Sequence, residues 1–168
     1  MKLSEDVKKF FTLLNVKYAL QHEDWDSFFN IAERHSREIY PYSSAGRFDL
    51  MRDIVAVART LDNDCVDKAG FIPTGFSHSP DSQILDLTSM TAVSEIHQLA
   101  FLYPEMTTVI IPNNIISIDA DAFYCGHKVK MIYKGTIAEF DTKLRANMNS
   151  YVISEVCCSM VVYNFNEV

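Results

Sequence analysis

Only five glycines occur among the 168 residues, and none gathers into a phosphate-cradling loop. No G-x-S-x-G elbow and no H-E-x-x-H pair is present, and the five histidines are scattered. No nucleophile sits beside a recognisable base, so the chain is expected not to be an enzyme and to need no cofactor or metal. The four cysteines, Cys65, Cys125, Cys157 and Cys158, include no C-x-x-C spacing. A disulfide framework is therefore not expected, and the thiols read as reduced and mostly buried. No segment approaches the ~20 apolar residues that span a bilayer. The first twenty residues carry interrupted apolar runs without a small-residue cleavage site, so no signal peptide and a cytoplasmic location are expected. Gly/Ser- and Pro-rich linkers are missing as well.

What remains is an ordinary globular composition, 48% hydrophobic and 22% charged. The net charge is −7, with 15 basic against 22 acidic residues. An acidic surface repels DNA, RNA and anionic membrane, so neither nucleic acid nor membrane is an expected direct partner. A protein partner fits this balance. An acidic decoy that occupies a nucleic-acid-binding groove is the alternative. Against it, residues 1–68 carry 10 basic and 12 acidic groups, while residues 69–168 carry 5 and 10, so the excess acid lies in the second half.

Residues 1–68 read as a helical bundle of about three helices. Ser4 is placed to cap the first, with Glu5 and Asp6 in its first turn and Val7, Phe10, Phe11 and Leu14 at helical spacing. A second helix is expected over residues 25–35, with Trp25, Phe28, Phe29 and Ala32 facing inward. A third is expected over residues 45–61, where Phe48, Met51, Ile54, Val55 and Ala58 form a wide apolar stripe. Tyr40-Pro41-Tyr42 separates the last two, and Asp62-Asn63-Asp64 ends the third.

From Gly70 onward helical spacing stops. β-Branched residues alternate with Pro, Gly, Ser and Asn. Self-comparison then shows a period of 22. Val93, Ile115 and Ile137 share it, as do Ile96, Ile118 and Phe140, and Leu87, Val109 and Met131; Ala100-Phe101 returns as Ala122-Phe123. A unit of this size, strand then turn then return, matches a leucine-rich repeat, and it buries its face only by stacking on neighbours. Val109, Ile111, Ile115 and Ile118 are expected inside.

The stretch IPNNIISIDADAF resembles the repeat of the BspA-like short leucine-rich repeat family, of the form I-P-x-x-V-x-x-I-x-x-x-A-F. MIYKGTIAEF, residues 131–140, resembles that family's terminal unit. VCCSMVVYNF, residues 156–165, resembles its closing strand without the usual Asp-Gly turn, and FIPTGF, residues 71–76, a degenerate first unit. The resemblance covers about residues 71–165 and implies an α+β chain. Residues 1–68 would form a helical capping region, and residues 69–168 a short solenoid with a small parallel sheet and its own C-terminal cap. It implies recognition rather than catalysis, such as a phage or bacterial accessory protein that binds and inhibits a cellular protein.

In a strict 22-residue register, Thr88, Ile110 and Ile132 stack along the outer face of the sheet. Asp86, Thr108 and Lys130 stand beside them, followed by Met90 and Lys134. Thr88, Thr108, Ile110, Lys130, Ile132 and Lys134 are therefore the candidate partner-binding residues, an apolar patch with a polar rim. The open sheet edge also invites self-association. Three other motifs read as structural. His22 to Phe29 is helix capping with Trp25 in the core. Asp62 to Asp67 lacks the Gly and Glu of a calcium loop. Cys125-Gly126-His127 lacks a second ligand pair and reads as a turn.

Overall fold

A computed structural model describes residues 2–78, 83–145, 153–158 and 161–164; in 153–157 and 161–164 only the backbone is considered. The chain is mixed helix and sheet. Five helices precede the first strand: α1 (Glu5–Thr12), α2 (Leu14–Gln21), α3 (Trp25–Ile39), α4 (Ser44–Leu61) and α5 (Cys65–Ala69). That exceeds the three expected from the apolar stripes. The first stripe divides because Leu13 takes an extended conformation, φ −62° and ψ 136°, while its N–H still closes onto Phe10. The Ser4 hydroxyl accepts from Val7 N–H as expected. Asp24 caps α3 at Ser27, and Ser43 caps α4 at Gly46.

Phe10, Phe28 and Phe29 are fully buried and meet edge to face, with Phe10–Phe28 centroids 5.6 Å apart and Phe28–Phe29 5.2 Å. Each ring contributes about 1.5–3 kcal/mol by leaving water. Trp25, 5% exposed, joins them and is a core residue.

Gly70, in the left-handed conformation with φ 82°, ends α5 and releases the chain into strands. These are β1 (Phe71–Ile72), β2 (Ile84–Asp86), β3 (Glu95–Ile96), β4 (Thr108–Ile111), β5 (Ser117–Ile118) and β6 (Val129–Tyr133); α6 (Ile137–Lys143), β7 (Ile153–Cys158) and β8 (Val161–Asn164) follow. They sort alternately into two sheets. β1-β3-β5 form one; β2-β4-β6-β7-β8 form the other. All pairs are parallel except β7 with β8. Ser77, Phe101 and Phe123 bridge in a third line, and the rings of Phe101 and Phe123 stack with centroids 5.6 Å apart.

The interior is as expected where the period holds. Val109, Ile111 and Ile115 are wholly buried, as are Ile118, Ala122 and Phe123 to within 2%. The register itself needs one correction. Glu95 pairs with Ser117 and Val109 with Met131, both 22 apart, but Phe71 pairs with Glu95 and Leu85 with Val109, 24 apart. The two extra residues lie in one corner. Residues 88–92 occupy the place that Pro112-Asn113-Asn114 fill one unit later. There the Asn114 amide donates to the carbonyls of Met90 and Val93, at 2.9 and 2.6 Å, and ties the two corners together.

The period continues in residue type after the backbone has changed. Ile137 and Phe140 hold the places of Ile115 and Ile118 but stand on α6, not on a strand. A reciprocal capping box starts that helix: Thr136 accepts from Glu139 N–H and Glu139 from Thr136 N–H. Phe140 is still fully buried.

The helices and strands share one hydrophobic core. Phe29 meets Phe71 at 6.1 Å, and Glu33 of α3 reaches into the turns after β1 and β3. Gly75, φ 72°, lies so close to α4 that a Cβ there would stand 2.5 Å from Arg52 N. The part of the expected C-terminal cap in residues 146–152, 159–160 and 165–168 lies outside the described residues.

Candidate functional site

The outer face of the larger sheet follows from the alternation along its strands. In β4, Val109 and Ile111 point inward while Thr108 and Ile110 are half-buried; β6 repeats this with Lys130 and Ile132. The observed register sets Ile84, Thr108 and Lys130 in one row, and Asp86, Ile110 and Ile132 in the next. Four expected residues, Thr108, Ile110, Lys130 and Ile132, therefore sit together. Lys134 is exposed just past β6, and its charge helps to lower the Asp86 carboxyl.

Thr88 does not stack with Ile110. It sits beyond β2, exposed, where its N–H and hydroxyl both donate to Asp86 Oδ1 at 2.9 and 2.7 Å. Those two bonds, the hydroxyl first, hold Asp86 below the usual carboxylate range. The ladder position beside Ile110 thus belongs to a carboxylate rather than a hydroxyl. Ile84, 58% exposed, stands beside Thr108 in the adjoining row.

A second concavity lies on another flank, between the first turns of α4 and the turns that follow β3 and β5. Its volume is about 440 Å³, and Phe48, Leu99, Leu102 and Tyr124 give it an apolar lining. Asp49 and Asp121 are its charged members. Leu99 takes a positive φ of 54°, unusual for a branched side chain. Its N–H donates to the Asp121 carbonyl at 2.8 Å, which holds that turn in place. Sequence reasoning missed this cleft. One signal was available: Leu102 and Tyr124 each follow the repeated Ala-Phe, 22 residues apart.

A further contact ties the helices to the smaller sheet. The Glu33 carboxylate, 7% exposed, receives Thr74 N–H at 3.1 Å and His97 Nδ1 at 2.8 and 2.9 Å. His97 also stacks on Phe71, with centroids 4.2 Å apart and planes 5° apart. Burial works against the charged ring, but Glu33, Glu95 and Asp119 outweigh it, so the His97 pKa is raised. This contact braces α3 against the turns after β1 and β3.

The remaining motifs make local contacts. His127 Nε2 pairs with the Met106 carbonyl at 2.6 Å, and the Cys125 thiol donates to the His127 carbonyl at 3.1 Å. Asp62 ends α4 and pairs with Lys68. Cys65 is wholly buried, and burial pushes its thiol up to about 11. Among the described residues no cluster of His, Cys, Asp and Glu could hold a metal, and no helix is long and apolar enough to cross a membrane. The chain matches no family model, and no curated protein or solved structure shows significant similarity to it.

Proposed function

We propose that this chain is a non-catalytic protein-binding module. In this reading residues 69–168 are a short leucine-rich-repeat stack of the BspA-like kind, braced by the helical region. The larger sheet's outer face engages a cellular protein, as a phage or bacterial accessory protein would. The observation that carries the reading is the side-by-side placement of Ile110 and Ile132, half-buried, with Thr108 and Lys130 in the adjoining row. Apolar centres with polar rims mark recognition surfaces. The net charge of −7 supports a protein partner, and the cysteine spacing, without a disulfide framework, supports a cytoplasmic location.

The test is affinity capture with the tagged full chain from bacterial lysate at low and moderate salt, repeated with the Ile110→Glu, Ile132→Glu double variant. One stoichiometric partner that survives moderate salt and is lost with the folded variant supports the reading. Equal capture by both proteins removes the ladder as the interface. Nucleic-acid-binding proteins that wash off as salt rises would replace the reading with the acidic decoy.

A further inference from the structure

We propose that the cleft between α4 and the turns after β3 and β5 seats an arginine or lysine side chain from a basic segment of a protein partner. The proposal is independent of the isoleucine ladder, which lies on a different sheet face. Three observations carry it.

The first is an uncompensated charge. Asp121 is half-buried, and among the described residues its carboxylate accepts the neutral Gln98 amide alone, at 3.3 Å. No cation meets it among the described residues. Asp49 does have one, Arg52 at 3.2 Å, but that pair is exposed on both sides and screened. The cleft therefore presents a carboxylate open to a cation from another molecule.

The second is the lining. Leu102 and Tyr124 stand one unit apart on the same flank, and Tyr124 is 53% exposed. Aliphatic stems pack on such surfaces while the charged head reaches an acid or a ring face. The chain already makes one such contact, Arg59 over Phe76 at 4.9 Å.

The third is size and sign. A cleft of about 440 Å³ suits a large organic group and its neighbours rather than a bare ion. The start of α4 contributes partial positive charge of at most about half a unit, already capped by Ser43, against two carboxylates. An anion is disfavoured. A small free cation would leave Leu102 and Tyr124 uncovered, whereas a peptide segment covers them with the residues flanking its basic side chain.

The experiment is a two-dimensional NMR titration of the ¹⁵N-labelled full chain with three probes. These are acetyl-arginine amide, the hexapeptide acetyl-Ala-Leu-Arg-Leu-Ala-Ala amide, and the same hexapeptide with glutamate for arginine. Saturable shifts are expected at Gln98, Leu99, Tyr124 and the first turn of α4. They should be tighter for the arginine peptide than for the amide and absent for the glutamate peptide. Asp121→Asn keeps the shape and should weaken the arginine peptide by about fivefold. Three results overturn the proposal: no saturable shift, equal response to the glutamate peptide, or unchanged affinity in Asp121→Asn with an otherwise native spectrum. Tighter binding of the amide than of the peptide would reassign the cleft to small cations and overturn the protein-segment assignment.

Discussion

Glu33 and His97 stand 64 positions apart in the chain and meet through a two-oxygen contact on Nδ1, at 2.8 and 2.9 Å. One belongs to a helix and the other to the turn after β3. The same carboxylate holds the Thr74 N–H, so a single side chain braces α3 against two successive turns of the sheet region.

That contact makes stability depend on pH. The folded pKa of His97 is raised from its ordinary value of 6.5, so the stabilisation is fully present below about pH 6.5 and is lost as pH rises through the folded value. Thermal unfolding followed from pH 5.5 to 9 should show this decline. Glu33→Gln should flatten it and cost about 1–3 kcal/mol, because His97 loses its anion inside a buried site. An unchanged pH profile in Glu33→Gln would dissociate His97 from the effect.

Gly75 should tolerate no side chain. Its φ is 72° and a Cβ would sit 2.5 Å from the Arg52 nitrogen and 2.9 Å from the Met51 carbonyl carbon, both backbone atoms that cannot swing aside. Gly75→Ala is expected to lose about 1–3 kcal/mol or more in denaturant unfolding, beyond the ordinary left-handed penalty. Gly126→Ala, with open space around it and φ 78°, isolates that ordinary penalty and should cost less.

Phe101 stacks on Phe123 and meets Phe76 edge to face. Phe101→Ala leaves a cavity at the middle of that line and should cost about 3–5 kcal/mol. Calorimetry of this variant beside Phe123→Leu would show whether the loss follows cavity size.

Thiol reactivity should order the cysteines. Cys65 and Cys158 are wholly buried, and Cys125 is partly exposed. Burial raises the thiol pKa of Cys65, to about 11, and also that of Cys125. With a disulfide reagent at pH 8, Cys125 is expected to react slowly in the native protein, and Cys65 and Cys158 only as the chain unfolds. Mass spectrometry of the labelled peptides would show the order.

Much of this was legible from residue spacing, and the failures have physical causes. The α4 stripe and the Ser4 cap were plain because helical period and capping chemistry are local. The register error came from Leu85 and Leu87. Both point inward, 9% and 2% exposed, because alternate strand residues share a face. Sliding the comparison by two residues therefore matched leucine to valine equally well and moved Thr88 onto the ladder in place of Asp86. The change from strand to helix at Ile137 was hidden for a related reason: isoleucine and phenylalanine fill the same interior places in either backbone. Of the cleft only the Leu102 and Tyr124 spacing was legible, because Phe48 and Asp49 are brought to Asp121 and Tyr124 by packing alone.

The corner at residues 88–92 shows that this stack changes length without losing alignment. Five residues there do what three do at Pro112, and Val93 and Ile96 still fall beneath Ile115 and Ile118. Added chain at that corner bulges outward, and each doubling of a loop costs only about 0.6 kcal/mol of closure entropy. The corner is thus a natural graft point. A foreign epitope spliced between the exposed Thr91 and Ala92 would leave the Met90 carbonyl to Asn114 and be displayed beside the larger sheet, on a frame whose strands keep their partners.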